Sequence, residues 1–414
     1  MPTTTLALTR PTSAPWMSPG DYWPRLGAAT AGLDTPFGVL SVEALAANAF
    51  DLLDRAAGMP IRVASKSVRV RGVLDAVLAL PGYRGILAYT LPEALWLAGG
   101  DTRYDDVVVG YPSVDRAAIA QLAADAHLAS RVTLMIDDLA QLDLIDAVVA
   151  PGRRVAPIRL ALELDSSYES AMLGHVGVRR SPVYTAEAAR TLAAAIVMRP
   201  GFQLVGMMGY EAQIAGVTNK GIGRATIIRR MQRASAAELA DRRGAAVAAV
   251  RELAELEFVN GGGTGSFETT RADASVTELA AGSGLFGPHL FDGYVQFTPA
   301  PAAALALSVV RRPTPEVATL LGGGWIASGP TGPDRQPQLV WPEGLKTLPR
   351  EASGEVQTPV TGVAAASLEV GDRVWLRHTK AGELSEHLNA FALVSDGELV
   401  GELPTYRGEG KAFL

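Results

Sequence analysis

One lysine and two glycine-rich runs have residue types suited to chemistry in this chain of 414 residues. Lys66 ends a short apolar run, and a lysine amine can form a Schiff base with a carbonyl group. Glycines dominate residues 261–265 and 281–284, where backbone N–H groups can approach a phosphate closely. Together these features predict a reactive amine and a phosphate site. Taken singly, a solvated lysine and tight turns are the simpler explanations.

Eight short apolar runs would form the strands that position these groups. They cover residues 62–66, 85–90, 106–111, 131–137, 159–165, 203–210, 257–262 and 275–280. Helix-like intervals at residues 113–126, 185–198 and 229–256 place alanine and leucine along one stripe. Near-continuous apolar strands that alternate with amphipathic helices are typical of a parallel sheet covered by helices. Eight such units predict an α/β fold with a closed (β/α)8 TIM barrel.

The order of these segments places the lysine and the glycine runs at one end of the predicted barrel. Chemistry in such barrels lies at the carboxyl ends of the strands, and the loops after the seventh and eighth strands often hold phosphate. Lys66 ends the first strand, and the glycine runs follow the seventh and eighth. A strand-end lysine and a phosphate site point to pyridoxal phosphate, because the amine can bind the aldehyde while the loops anchor the phosphate. A phosphosugar barrel with a Schiff-base lysine stays open as the alternative.

Six motifs in this chain resemble those of the fold-type III pyridoxal phosphate enzymes, which have an alanine racemase-like barrel. The motifs are Asp34-Thr-Pro36, the segment around Lys66, Gly209-Tyr-Glu-Ala-Gln213, residues 261–265, Phe291-Asp-Gly-Tyr294 and Gly371-Asp-Arg-Val-Trp-Leu-Arg-His378. Within that family, the chain is most similar to the D-threonine aldolase and D-serine dehydratase-like group, especially to amino acid deaminase/aldolase proteins. The resemblance covers roughly residues 34–414.

The resemblance implies a cofactor, a set of binding residues and an assembly. It implies a Schiff base on Lys66, with Tyr210 near the cofactor ring and substrates of D configuration. The residues that it implies around the phosphate are Gly263, Thr264, Gly265, Gly282 and Ser283. It also implies a homodimer, since the β domain of one subunit commonly completes the active site of the other in this family.

Two positions beside the implied cofactor depart from the pattern of the family. Relatives have Arg-x-Gly-Val near the cofactor phenolate oxygen, whereas this chain has His175-Val-Gly-Val178, and a histidine can be neutral or charged there. Relatives have Tyr-x-Gly-His, whereas this chain has Tyr210-Glu-Ala-Gln213, and a glutamine cannot act as a general base. We therefore expect His175 to contact the cofactor, Gln213 to contact the substrate, and another group to take the hydroxyl proton.

A third departure concerns a metal ion. Relatives bind a divalent ion with a His-x-Cys or His-x-Asp pair, but this chain has His378-Thr-Lys380. A lysine ammonium cannot bind a metal ion, although it could supply the positive charge that stabilises a substrate alkoxide. His378 and Lys380 are therefore predicted catalytic residues, and His378 is an uncertain metal ligand. A rearranged metal site that includes Glu383, Glu386 or His387 stays open.

The leading hypothesis is a lyase that splits β-hydroxy D-amino acids to glycine and an aldehyde. Lys66 would hold the cofactor, and Lys380 or an ion near His378 would stabilise the deprotonated hydroxyl. Exchange with a second aldehyde would make the protein a transaldolase, and loss of hydroxide would make it a dehydratase or deaminase. A racemase and a non-catalytic pyridoxal phosphate carrier are further alternatives. The spacing leaves the substrate side chain and the use of a metal undecided.

Composition excludes several other classes of protein. The net charge is −6, which leaves no basic stripe to follow the phosphates of nucleic acid. The chain has no cysteine, which excludes disulfides and fits a cytoplasmic protein. No apolar run approaches the roughly 20 residues that span a bilayer, and the first residues do not have the pattern of a secretory signal. We therefore expect small-molecule substrates, no nucleic acid and no membrane.

Changes in residue composition along the chain predict three segments. Residues 1–33 would form an N-terminal arm that packs on the protein or on a partner, and no function is assigned to it. Residues 34–300 would form the cofactor-binding barrel. A Pro- and Ala-rich boundary then leads to short β-like pieces, so residues 301–414 would form a mainly β domain. A strand at residues 37–41 would join that domain or lead into the barrel.

Overall fold

The computed structural model describes residues 5–100, 104–380 and 382–414. Its strands are β1 (Phe37–Ser41), β2 (Ile61–Ala64), β3 (Tyr83–Ala88), β4 (Val107–Val109), β5 (Val132–Ile136), β6 (Ile158–Glu163), β7 (Tyr168–Ser170), β8 (Gly174–Val176), β9 (Phe202–Gly209), β10 (Phe258–Gly261), β11 (Glu278–Ala281), β12 (Ala303–Thr314), β13 (Val317–Leu321), β14 (Gln338–Trp341), β15 (Leu345–Thr347), β16 (Gln357–Gly362), β17 (Arg373–Arg377), β18 (Ala390–Ser395) and β19 (Glu398–Pro404). Its α-helices are α1 (Pro19–Ala29), α2 (Val42–Ala56), α3 (Arg71–Leu78), α4 (Leu91–Ala98), α5 (Arg116–Ala124), α6 (Ala126–Arg131), α7 (Leu139–Val148), α8 (Ala186–Met198), α9 (Ala212–Ala215), α10 (Arg224–Arg251), α11 (Phe267–Thr270), α12 (Ser283–Phe286) and α13 (Glu383–Glu386).

These elements form two compact units. The β unit comprises the described parts of Met1–Leu52, Ser67–Val77 and Gly282–Ala412. The barrel unit comprises the described parts of Leu53–Lys66, Leu78–Ala281 and Phe413–Leu414. The boundaries of these two units differ from those of the three segments expected from sequence. The limits of those segments stay a prediction.

Eight parallel strands of the barrel unit close into a barrel, in the order β10-β11-β2-β3-β4-β5-β6-β9. Each of the eight predicted apolar runs contains or overlaps one of these strands. The predicted (β/α)8 barrel is therefore confirmed. Because the strands are parallel, their carboxyl ends lie at one edge of the barrel, which is where the loops that carry chemistry are expected.

Side chains at the strand ends start the helices that follow. The Thr90 hydroxyl accepts from the N–H of Glu93 before α4, and the Asp115 carboxylate accepts from the N–H of Ala118 in α5. Such caps satisfy N–H groups that have no partner within a helix, and each is worth about 1 kcal/mol. The cap at Asp115 explains why α5 begins at Arg116, inside the interval 113–126 that the apolar stripe predicts.

The barrel interior combines an apolar cluster with one buried ion network. The apolar side chains are Val108, Met135, Ala161, Val205, Met208 and Phe258. In the network, the Arg62 guanidinium donates to the carboxylates of Glu278 (2.6 Å) and Asp106 (2.8 Å), and the Asn260 amide also donates to Glu278 (2.9 Å). Four polar side chains from four strands or their ends thus satisfy one another in the barrel.

The β unit has its own mixed sheet, with the main strand order β15-β16-β13-β12-β1-β18-β19, while β17 pairs with both β12 and β14. Strand β1 lies antiparallel to β12 and parallel to β18. Helix α1 packs its buried Tyr22, Trp23 and Leu26 against Val39 and Trp375 of this sheet. The N-terminal segment therefore contributes to the core of the β unit.

One expectation from sequence concerned the membrane. Among the residues that the structure describes, no helix is both long enough and apolar enough to cross a bilayer.

Candidate active site

Lys66 lies in a single helical turn directly after β2, at the carboxyl edge of the barrel. Its Nζ atom is 2.8 Å from the phenol oxygen of Tyr111, which follows β4 by two residues. The same Nζ lies 5.5 Å from the centroid of the Tyr111 ring. The phenol therefore fixes the position of the amine at the place where the sequence predicts a reactive lysine.

Arg180 connects this pair to Tyr210, the residue after β9. Its guanidinium carbon lies 5.6 Å from the ring centroid of Tyr111 and 5.4 Å from that of Tyr210, within the usual range of cation–π contacts. Burial raises the pKa of Tyr210 to about 12, although Arg180 opposes the shift. Tyr210 therefore stays protonated near neutral pH and can donate a hydrogen bond.

A carboxyl group with an unusual pKa ends β6 in the same unit. Burial, together with the charges of Asp137 and Asp165, raises the pKa of Glu163 to about 7, and Arg180 opposes the shift. Burial also raises the pKa of Asp137, which follows β5. Two adjacent strands thus end in carboxyl groups, and Glu163 titrates near neutral pH, as a general acid or base requires.

The glycine run after β10 forms a tight loop beside Tyr210. A Cβ atom at Gly263 would lie 3.3 Å from Cε2 of Tyr210 and 3.2 Å from Cβ of Ala215, so this position has no room for a side chain without adjustment. The Gly263 N–H donates to the Ser266 hydroxyl at 3.2 Å. The Gly263 N–H is thus engaged within the loop, and contacts of Thr264 and Gly265 with a phosphate stay a prediction.

His175 lies in the hairpin of β7 and β8, where its Nδ1 atom is 2.6 Å from the Glu169 carboxylate. Gln213 is buried, and its amide nitrogen donates to the Ser166 carbonyl (2.7 Å) and the Ser235 hydroxyl (2.9 Å). The buried side-chain atoms without a hydrogen-bond partner among the residues described include Nε2 of His175, Oε1 of Gln213 and Oγ of Ser167. Buried polar groups are nearly always paired, so these atoms are candidates for contacts with a ligand or water.

The other predicted site residues belong to the β unit. Gly282 and Ser283 follow β11 directly in the chain, and the Ser283 hydroxyl donates to the hydroxyl of Ser67 at 2.9 Å. Ser67 is the residue after Lys66. The proposed phosphate role of Gly282 and Ser283 stays a prediction.

His378 and Lys380 follow β17, also in the β unit. His378 is only 1% exposed, and its ring lies edge-on to Phe286 with 6.4 Å between centroids. Burial lowers its pKa to about 3, helped by the charges of Arg377 and His289, so the imidazole is neutral. The backbone N–H of Lys380 donates to the Glu383 carboxylate at 2.7 Å. Both ring nitrogens of His378 are buried without a hydrogen-bond partner among the residues described. The proposed roles of His378 and Lys380 stay a prediction.

The donor set was tested against the two groups that the resemblance implies. No three His, Asp or Glu side chains converge into a metal-ion site within residues 5–100, 104–380 and 382–414. The residues described therefore do not form a divalent-ion site around His378. Pyridoxal phosphate does fit the barrel unit, because a strand-end amine, a buried phenol and a glycine loop with little room for a side chain at Gly263 lie at its carboxyl edge.

Four residues of this edge were absent from the predicted site: Tyr111, Asp137, Glu163 and Arg180. Tyr111 and Asp137 each end one of the predicted apolar runs, which was a usable signal. Glu163 lies inside the run 159–165, and Arg180 follows the His175 motif by two residues. The positive charge that relatives have in that motif is thus present in this chain a short distance further on.

No protein-family model matches the sequence, and no curated protein sequence matches it. Solved structures share its fold. D-threonine aldolase from Filomicrobium marinum matches with a TM-score of 0.73 and 21% identity over 91% of this chain and 96% of that one. D-threo-3-hydroxyaspartate dehydratase from Delftia sp. HT23 matches with a TM-score of 0.69 and 18% identity over 90% and 97% of the two chains.

An alanine racemase-like protein from Idiomarina loihiensis also matches, with a TM-score of 0.66 and 14% identity over 91% of this chain and 97% of that one. These neighbours are fold-type III pyridoxal phosphate enzymes. The chain therefore has the alanine racemase-like, fold-type III fold that the sequence motifs imply. Identities this low establish the fold, and the reaction must be argued from the site.

Proposed function

We propose that this protein is a pyridoxal phosphate-dependent lyase that cleaves β-hydroxy D-amino acids of the D-threonine type to glycine and an aldehyde. One observation carries the proposal: the Lys66 amine lies 2.8 Å from the Tyr111 phenol at the carboxyl edge of a fold-type III barrel. An amine held this way at the end of the first barrel strand is placed to bind an aldehyde cofactor covalently.

Bound pyridoxal phosphate would supply an electron-withdrawing ring that weakens the bonds of the substrate α carbon. The residues of this chain would do the rest. Lys66 would hold the cofactor and give up that bond to the substrate amine, while Tyr111 keeps the amine oriented. Arg180 would set the local positive charge between Tyr111 and Tyr210, and the N–H groups of the glycine loop would bind the phosphate.

Cleavage of the carbon–carbon bond also needs a group that takes the proton of the substrate hydroxyl. We propose Glu163 for this role in the barrel unit, because its pKa of about 7 lets it accept a proton near neutral pH. The charge of Lys380 is proposed to stabilise the alkoxide, in place of the metal ion that relatives use. His175 and Gln213 are proposed to contact the cofactor and the substrate through their unpaired Nε2 and Oε1 atoms.

Dehydration of the same substrates is the second candidate. It requires a base for the proton of the substrate α carbon, for which Lys66 is proposed, and a proton donor for the departing hydroxide, for which the protonated form of Glu163 is proposed. The two reactions therefore differ in the bond of the α carbon that breaks and in the protonation state of Glu163. Aldehyde exchange, racemisation and simple cofactor carriage are the further alternatives.

The test is a product assay with D-threonine and the purified holoenzyme, with and without EDTA. Glycine and acetaldehyde formed in the presence of EDTA would support the proposed lyase. Formation of ammonia and a keto acid would instead support the dehydratase. Loss of turnover in EDTA would indicate that the reaction needs a metal ion. If no D-amino acid is converted, the protein would be a pyridoxal phosphate carrier. L-Threonine serves as the stereochemical control.

Variants locate the activity. Lys66→Ala should abolish turnover, whereas Lys220→Ala, which removes an exposed lysine of the barrel unit, should leave it unchanged. A homodimer and a cytoplasmic location are proposed from the resemblance and from composition. Sedimentation of the purified protein at twice the mass of the chain would support the dimer.

A further inference from the structure

Glu211 is a buried carboxylate that forms hydrogen bonds with the glycine loop and with the helix that follows it. It follows Tyr210 directly and is only 1% exposed. Its Oε2 atom accepts the backbone N–H of Gly262 at 3.1 Å, and its Oε1 atom accepts the hydroxyl of Thr270. One side chain thus joins the turn after β9 to the loop after β10.

Further hydrogen bonds connect Thr270 to the glycine loop. The hydroxyls of Thr270 and Ser266 are 2.9 Å apart, and the Ser266 hydroxyl accepts the N–H of Gly263 at 3.2 Å. The N–H groups of Gly262 and Gly263 are therefore both held by a network that contains the carboxylate of Glu211. Gly262 has a φ of +83°, a left-handed conformation that glycine adopts without steric cost.

The charge of Glu211 is balanced inside the barrel unit. Arg243 from α10 places NH2 3.6 Å from Oε1 of Glu211 and Nε 3.1 Å from Oδ2 of Asp273, and all three side chains are buried. A buried carboxylate that lost such a partner would carry a large desolvation cost. Arg243 therefore balances the charge of the carboxylate that binds the glycine loop.

We infer that Glu211 is a positioning residue that sets the conformation of residues 261–265 and thereby the affinity of the site for a phosphorylated ligand. The inference rests on the proposed function, which supplies pyridoxal 5′-phosphate as that ligand. Glu211 does not touch the phosphate. It orders the loop before the ligand binds, so that binding of the phosphate does not first cost the loop its conformational freedom.

The test compares two ligands that differ only in the phosphate group. Apoprotein is titrated with pyridoxal 5′-phosphate and with pyridoxal, and the dissociation constant is read from the visible absorption band. Glu211→Ala should raise the constant for pyridoxal 5′-phosphate about ten- to hundredfold, as expected when a charged hydrogen-bond partner is lost. The constant for pyridoxal should change less than about twofold. Glu211→Gln should lie between, because its amide oxygen can still accept the N–H of Gly262.

Glu278→Gln is the matched control, since it alters another buried carboxylate of the barrel unit that contacts Arg62 and Asn260. It should lower the melting temperature without a selective loss of the phosphorylated ligand. Where the Glu211 variants do not fold, Thr270→Val tests the same network with almost no change in volume. It should weaken pyridoxal 5′-phosphate binding severalfold and spare pyridoxal.

Unchanged affinity of these variants, or an equal loss for both ligands, would overturn the inference while leaving the proposed function in place. Failure of the wild-type protein to bind either ligand is a different result, because it would remove the proposed function itself.

Discussion

Tyr111 is the residue on which the geometry of Lys66 depends most directly. Its phenol lies 2.8 Å from Nζ, and the variant Tyr111→Phe removes that bond while keeping the ring. We expect turnover of D-threonine to fall about ten- to hundredfold, because the amine would be less well oriented, with little change in cofactor affinity. Steady-state kinetics and a cofactor titration measure the two quantities.

Tyr83→Phe is the control for this change, because Tyr83 begins β3 at the opposite, amino end of a barrel strand. It should leave turnover within about twofold of the wild type. Equal effects of the two variants on turnover would contradict the role of Tyr111.

Glu163 makes stability depend on pH in a defined direction. Its pKa is raised from 4.5 to about 7 in the folded protein, so the folded state keeps its proton after the unfolded state has lost it. The contribution is fully present below pH 4.5 and is lost as the pH rises through 7. A shift of this size corresponds to roughly 3 kcal/mol of unfolding free energy. Urea denaturation at pH 5 and pH 8 measures the difference.

Glu163→Gln should remove most of that difference, because glutamine does not titrate. The exposed carboxylate Glu187, in the first turn of α8, provides the control variant Glu187→Gln, which should keep it. The same decline between pH 5 and pH 8 in Glu163→Gln as in the wild type would show that other groups cause it.

The sequence predicted that Lys66 and the glycine loop follow barrel strands, but it did not predict the charged residues Glu163, Asp137 and Arg180. Lys66 was visible because its position after an apolar run is a local property. The pKa of Glu163 depends on burial and on Asp137 and Arg180, which come from other strands and loops. Such a combination forms only when the barrel closes, so the spacing along the chain could not show it.

Among the elements, the barrel strands were predictable and the helix ends were less so. The eight barrel strands overlap apolar runs because a buried parallel strand must be apolar on both faces. Helix α10 spans Arg224–Arg251, whereas the stripe predicted residues 229–256. Its cap residue is Gly223, which has no side chain to accept a hydrogen bond, so the usual signal for a helix start was missing.

The buried ion network around Arg62 is expected to contribute strongly to the stability of the barrel unit. Arg62 is 1% exposed and pairs with Glu278 of β11 and with Asp106 before β4. Arg62→Ala should lower the unfolding free energy by about 3–5 kcal/mol, because it leaves two carboxylates without their shared cation. Denaturant unfolding measures the change.

Arg84→Ala provides a control with the same acceptor, since Arg84 lies 3.8 Å from Asp106 but its side chain is 65% exposed. Its effect should stay below about 1 kcal/mol. A loss of similar size in both variants would mean that burial does not determine the strength of these pairs.

At the scale of the whole molecule, the class of fold followed from sequence, whereas the assembly of the β unit did not. The sheet joins β1 near the start of the chain to β12 and β18 more than 250 residues later, as in the pairs Phe37 with Ala306 and Gly38 with Phe391. Pairing across such distances depends on tertiary packing, which the local pattern of residues 37–41 does not contain. The sequence therefore left open whether that strand joined the β domain or the barrel.

A covalent bond between Lys66 and pyridoxal phosphate is the central requirement of the proposed function. The most direct test is reduction of the holoenzyme with sodium borohydride, followed by digestion and mass spectrometry of the peptides. We predict a pyridoxyl-phosphate adduct on the peptide that contains Lys66, together with loss of the visible absorption band. An adduct on a different lysine, or an unmodified Lys66 peptide from protein incubated with excess cofactor, would contradict the assignment of the active site.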